Sequence, residues 1–547
     1  MMTELSLKIV EYKKPILSLS LIISLSLFLR FIYFPYDIPI YTDGFFYFVY
    51  SVRTVYELGL PFGQDVTNTG WANFVSLFFL IADKTDPMHL MNIQRILGSI
   101  LAVLTLIPAF FIFKRFVDYR IALVGCLFLG IEPRLLLLSL EGLNYTAFLF
   151  IFILSIELFL RKTNFSLIAS FVCIAIGTLI RYDTLLLLIP FSIIYFKRFQ
   201  NKKAILRFLL IILIMTSILV PVGLMRIQAT QNICNESIWI ENFGCGNDGF
   251  TQNIFFGLEV INKSLVGEKN NSMDSDNTKE LSDEFKQPKD FQFFINIISK
   301  LVFYQLLILI PFLGFFVGLN LISRINKKEW EFPFELKIIT IVTATMIIPA
   351  IYAYFRGFEE PRYLFVTFLL LCIISISLKK SLIEKILKQK QYLTIIIVIP
   401  IILSISFIEY QKDDYVYERE SFKILKEITL LTKVTNTFEN SKYTKTAILF
   451  NEWPELPKIT EGGKLLYEEQ KRISTSGFDN IEDYILYSKD YGLEYILVDQ
   501  KDNLFSKLYE NNHNYPYLEL IYDSEEDNFE NKFQIYKINY DLMKKQD

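Results

Sequence analysis

The chain has 547 residues, of which 52% are hydrophobic and 16% aromatic, and its formal net charge is -3. That balance is too apolar for a water-soluble protein of this length and too neutral for a nucleic-acid binder, whose footprint is a basic face. Both classes are excluded, and most of the chain is expected in lipid.

Runs of about 17 to 25 apolar residues are long enough to cross the hydrocarbon core as helices. In chain order, hydropathy places about eleven such spans, at residues 15–33, 93–113, 120–138, 143–160, 165–180, 184–197, 204–224, 296–323, 335–353, 363–378 and 392–408. Alternate connections carry Lys13 and Lys14, Lys114 and Arg115, Arg161 and Lys162, and the stretches 197–207, 324–328 and 379–390. By the positive-inside rule these clusters face the cytoplasm. One orientation then sends loops 34–92 and 225–295 and the tail after 409 outside, with a cytoplasmic N-terminus. A multi-pass protein of the cell membrane is expected. The first apolar run lacks a small-residue cleavage site and is read as a retained span.

Cys126, Cys173 and Cys372 fall in apolar runs and read as small buried hydrophobes. Cys234 and Cys245 share the long outer loop, where either a disulfide or two free thiols fits. The same loop is polar from Asn262 to Lys289 and contains three sequons, at Asn235, Asn262 and Asn270.

The transmembrane domain therefore covers 1–409, and the charged residues 410–547 form a soluble domain. Four strands are expected in it, at 446–450, 494–499, 518–522 and 533–538, from β-branched and aromatic enrichment. Two helices are expected at 420–437 and 479–490, the second opened by a capping box of Asp479 and Glu482. A small α/β domain follows.

Ionisable residues near span ends are functional candidates by default, because charge within the bilayer is costly. They are Asp43, Arg95, Glu132, Arg134, Glu141, Arg181, Asp183, Arg356, Glu359, Glu360 and Arg362, and the assigned topology gathers them on the outer face. A carboxylate can take a proton from an acceptor hydroxyl while Arg binds a departing phosphate, which suits group transfer from a lipid phosphate. Each has a plainer use. Asp43 can cap a helix, Glu141 can sit in a solvated turn, and Arg181 and Arg362 can anchor span ends. Glu132 and Arg134 are read as a pair that satisfies itself within the membrane. His89 and His513 are the only histidines, so a histidine zinc site is not expected, while a divalent cation held by carboxylates stays open.

Several motifs then carry a resemblance. Tyr41-Thr42-Asp43-Gly44 with Tyr47 and Gly59 resembles the first exterior loop of the GT-C superfamily of polyprenyl-phosphate-sugar-dependent glycosyltransferases, in the protein mannosyltransferase and aminoarabinose transferase branch. Gly44 stands where that family commonly has a second acid. Pro133, Ser139, Glu141 and Tyr145 match the family's stretch between the third and fourth spans. The segment from Ala175 to Asp183, with its Gly, Thr and Arg, is similar to the family's next motif, and Pro361-Arg362-Tyr363-Leu364 to its late Arg-Tyr pair. The resemblance covers roughly residues 15–380 by motif order.

The resemblance implies a polyprenyl-phosphate monosaccharide donor, a protein, lipid or glycan acceptor, and inverting transfer at the outer leaflet. Asp43 would be the base, and Glu141 would position acceptor or sugar, or hold a cation if one is used. Arg181 and Arg362, and more remotely Arg95, would neutralise phosphate, and Tyr145, Tyr182 and Tyr363 would line the substrate site. Oligosaccharyltransferases of the same superfamily resemble the chain less, since they carry a Trp-Trp-Asp sequence and none of Trp71, Trp239, Trp330 and Trp453 adjoins another. Two other classes are weighed. A secondary transporter should show paired repeats with broken helices near the midplane, and none is visible. A non-catalytic anchor presenting an exterior domain leaves the one-sided acids and arginines without a use.

Overall fold

The computed structural model describes residues 2–40, 42–61, 68–83, 86–161, 163–199, 202–229, 334–355, 364–367, 416–424, 480–490, 492–499 and 515–543, with isolated positions between them. The protein is a helical membrane bundle followed by a small antiparallel sheet. Its helices are α1 (Met2–Ile32), α2 (Thr42–Glu57), α3 (Gly70–Phe79), α4 (Pro87–Leu104), α5 (Leu106–Phe116), α6 (Tyr119–Ile131) and α7 (Pro133–Leu140). They continue as α8 (Tyr145–Leu160), α9 (Asn164–Ile180), a 3-10 turn (Tyr182–Leu187), α10 (Leu188–Arg198), α11 (Lys202–Ala229) and α12 (Phe334–Phe355).

Four described segments are long and apolar enough to span a membrane: Lys14–Ile32, Pro87–Phe116, Lys203–Arg226 and Phe334–Ile351. A fifth is the pair α6 and α7, bent by 50°. The expected spans 296–323, 363–378 and 392–408 lie wholly or largely outside the described residues. Two expectations need correction. Span 93–113 begins earlier, because Asp86 caps α4 by accepting the Met88 N–H at 2.8 Å and Pro87 fills the first helical position. Span 120–138 is broken, because Pro133 cannot donate within the ladder and Glu132 starts a new helix, accepting the Leu135 N–H at 2.7 Å. Glu132 thus serves as a cap.

The stretch 34–92 is more than loop. In α2, Phe45, Phe48, Val49, Val52 and Val55 recur at helical spacing and are all buried, while polar neighbours keep its average hydropathy low. Trp71, Val75 and Phe79 of α3 pack into the same core, Phe48 meeting Phe79 edge-on at 5.8 Å. α8 lies against α9, α1 against α6, and α9 against α11. Leu17 and Leu206, more than 70% exposed, mark the open apolar faces of α1 and α11 that lipid would cover.

One end of the bundle collects residues of three of the basic clusters. Arg115 at the end of α5 and Arg161 at the end of α8 both bond Glu157, at 3.2 and 2.8 Å, and Arg207 of α11 reaches Asn164 at 3.3 Å. The 16 residues of α8 carry the chain about 24 Å from there to its other end.

The C-terminal part has α13 (416–424), α14 (Ile481–Lys489), and strands β1 (Tyr495–Asp499), β2 (Leu518–Asp523) and β3 (Phe533–Ile538), ordered β1-β3-β2 and antiparallel throughout. The cap of α14 is Asn480, which accepts the Glu482 N–H at 3.1 Å, so the expected Asp479 capping box is replaced by a one-residue shift. Strand 446–450 lies outside the described residues. Tyr540 donates to the Leu493 carbonyl at 2.6 Å, and burial, then the Glu494 carboxylate, pushes its phenol up to about 12. A raised folded pKa means stability present below the ordinary value of about 10 and lost as pH rises toward the folded value. Between these values the melting temperature of the full chain should fall, and Tyr540→Phe should flatten that fall, as read by thermal melts across the alkaline range.

Candidate active site

The first turn of α2 and the turn joining α7 to α8 meet at the end of the bundle opposite the basic clusters. Asp43 lies in that first turn with an exposed side chain, where the helix dipole favours an acid. The next residue touches the facing turn. A Cβ at Gly44 would stand 2.5 Å from the Glu141 carbonyl oxygen and 2.7 Å from Ile40 Cγ2. No side chain fits at this position without displacing the facing turn. Asp43 and Glu141 are brought together by their backbones.

Gln94 of α4 holds this junction. Its Nε2 donates to the carbonyl of Gly44 at 3.0 Å and to that of Gly142 at 2.7 Å, and Trp71 Nε1 reaches the Gly142 carbonyl at 3.0 Å. Gly142 has a φ of 73°, and a Cβ there would collide with Ile40 Cδ1 at 2.7 Å. Glu141, half-buried, ends α7 as its C-cap.

A second relay links α2 to α9. Asn144 Nδ2 donates to the Tyr47 hydroxyl at 2.9 Å and to the Ile180 carbonyl at 3.0 Å. Tyr47 is one turn beyond Asp43, on the same face of α2. Ile180 precedes Arg181, which leaves α9 in extended conformation and pairs with Asp183 at 2.6 Å. The Arg181 guanidinium also lies 5.4 Å from the ring centres of Tyr145 and Phe148, within cation-π range. Tyr182 is buried, donates its N–H to Asn68 Oδ1 at 3.2 Å, and receives Arg226 Nη1 on its hydroxyl at 3.4 Å. Burial pushes the Tyr50 phenol up to about 12 against the opposing pull of Arg226.

The structure thus gathers Asp43, Glu141, Tyr145, Arg181 and Tyr182 at one end of the bundle. Arg95 has a different place from that expected of a phosphate ligand. It is buried at 2% exposure, and its guanidinium donates to the carbonyls of Leu140 (2.8 Å), Pro35 (3.0 Å), Pro39 (3.0 Å) and Ile38. It ties the end of α7 to the segment leading into α2. Arg362, Tyr363, Cys234 and Cys245 lie outside the described residues, as do Arg356, Glu359, Glu360 and the sequons. Cys126 and Cys173 are buried free thiols. Gln94, Asn144, Asn68 and Arg226 were not singled out by sequence. Among the described residues no three His, Cys, Asp or Glu side chains converge on a metal site.

The form of the Archaeoglobus fulgidus oligosaccharyltransferase solved with zinc and sulfate matches 88% of this chain and 68% of its own, with a TM-score of 0.50 and 12% identity. The chain shares the fold of that enzyme. The same protein without ligand (TM-score 0.46, 12% identity, 89% and 69% covered) and with an inhibitory peptide and a dolichol-phosphate (0.47, 11%, 89% and 70%) also resembles it. No family model and no curated protein sequence matches. The protein matched is an oligosaccharyltransferase, a class the tryptophan pattern had placed second, and at this identity the likeness is one of fold alone.

Proposed function

We propose that the protein is a membrane glycosyltransferase that moves one sugar from a polyprenyl-phosphate donor to an acceptor hydroxyl at the outer face of the membrane. The observation that carries this reading is the convergence of Asp43, the Glu141 turn and Arg181 at one end of a bundle whose fold matches a known glycosyl-transferring enzyme. The Arg clusters at the opposite end support an outward orientation of this site by the positive-inside rule.

In the proposed reaction the Asp43 carboxylate takes the proton of the acceptor hydroxyl. The freed oxygen attacks the anomeric carbon from the side opposite the phosphate, and the bond from that carbon to the phosphate oxygen breaks with inversion. Arg181 receives the charge that gathers on the departing polyprenyl phosphate, its guanidinium oriented by Asp183 and by the rings of Tyr145 and Phe148. Glu141 orients the acceptor. Arg362 and Tyr363 are proposed to join from the late motif, and Tyr182 to border the pocket.

The test is direct. Purified full-length protein, incubated with a panel of radiolabelled polyprenyl-phosphate sugars, should move label from the organic to the aqueous or acceptor fraction for one donor. Retention of label by every donor overturns the reading.

A further inference from the structure

The chain from Tyr33 to Ile40, which delivers α2 and Asp43, has no helix of its own and lies between two supports. On one side is α4. Asn92 Nδ2 donates to the Tyr36 carbonyl at 3.1 Å, Met91 Sδ accepts the Ile40 N–H at 3.4 Å, and Arg95 gathers the carbonyls of Pro35, Ile38 and Pro39. On the other side is the C-terminal domain. Asp37 accepts from Nε and Nη2 of Arg419 in a forked pair, the Nη2 bond being 3.1 Å, and just before that domain Glu409, the last residue of the transmembrane part, accepts the Tyr33 hydroxyl at 3.1 Å.

Arg419 is itself rigidly placed. Its neighbour Glu420 accepts the N–H groups of Glu530 (2.8 Å) and Asn531 (3.0 Å) and the Asn531 amide (2.6 Å), fixing helix 416–424 to the turn between β2 and β3. Tyr417 and Phe422 pack with Leu497, Phe533 and Ile535, and Met88 of α4 closes the same cluster. The sheet domain, the first turn of α4 and the segment before Asp43 therefore form one mechanical unit. From Asp37 to Asp43 is six residues, so a displacement at Asp37 has little slack in which to dissipate.

We propose that the C-terminal domain sets the position of Asp43 through the Arg419–Asp37 ion pair, making Arg419 and Asp37 positioning residues; this rests on Asp43 being the base. The pair is 37% and 52% exposed, so water screens it and it adds little to global stability. Its effect is local, on where the segment holds α2.

Asp37→Arg, Arg419→Glu and the exchanged double variant of the full chain test this by amide hydrogen exchange and by transfer kinetics. Each single variant should raise exchange over residues 36–44 by about tenfold at an unchanged melting temperature. Each should also lower kcat by about tenfold while donor KM stays put, since misplacement of a catalytic group is felt in the rate. The double variant, its pair restored with signs exchanged, should recover both. Single variants with unaltered exchange, or a double variant no better than either single, overturn the proposal. A native chain that transfers no sugar removes only the catalytic reading of Asp43, and the exchange arm then decides the linkage alone.

Discussion

Asp43→Asn should lower the transfer rate by about two to four orders of magnitude, the contribution typical of a positioned general base. The substitution keeps the shape of the side chain and removes its capacity to accept a proton. Folding should be nearly unaffected, because the residue is exposed in the first turn of α2 and its interaction with the helix dipole is worth about 0.3 to 1 kcal/mol. Donor binding should also persist, since the proposed phosphate contact is made by Arg181, at the far side of the Tyr47–Asn144–Ile180 relay. Single-turnover kinetics with a saturating donor, together with thermal melts, measure the two effects separately. A variant that transfers at more than half the native rate would show that the proton goes elsewhere. Glu141→Gln should fall between native and Asp43→Asn, because Glu141 orients the acceptor without taking its proton.

The residues that sequence could find are those whose type alone is unusual in their setting. Asp43, Glu141 and Arg181 stand out because a charge beside a long apolar run is costly, and the structure brings all three to one end of the bundle. The long runs of α1, α11 and α12 were legible by their hydropathy, and β3 by its β-branched and aromatic enrichment, which gave both its ends. Gln94 and Asn144 escaped. Neither is charged, and each works by bridging two distant partners, a property of tertiary placement that no window of sequence carries. α2 escaped because its apolar residues are periodic rather than continuous, so hydropathy averages it into a loop, and α3 because its 10 residues are too few for a span. The break at Glu132 was hidden by the reverse effect. Its flanks are apolar enough that one acid and one proline hardly lower the average, yet they bend the chain by 50°.

Arg95 is the residue whose sequence and structural readings differ most, and its substitution separates them. Arg95→Leu should destabilise the full chain by about 3 to 5 kcal/mol, because a buried hydrogen-bonded charge is lost and acceptors on both sides of the site end lose their donor. The affected carbonyls are those of Pro35, Ile38, Pro39 and Leu140, and they hold the approach to α2 against the end of α7. Arg95→Lys is the sharper variant. It keeps one positive charge but replaces a planar fork with a single point donor, which cannot serve carbonyls in several directions. If Arg95 works as a clamp, Lys should melt well below the native chain and transfer should fall along with Leu, with hydrogen exchange rising over both 35–40 and 138–142. If instead it binds the donor phosphate, Lys should keep most of the native donor KM and melt normally, and only Leu should raise KM. The clamp predicts that geometry, not charge, is what position 95 contributes, and a Lys variant of native stability would refute it.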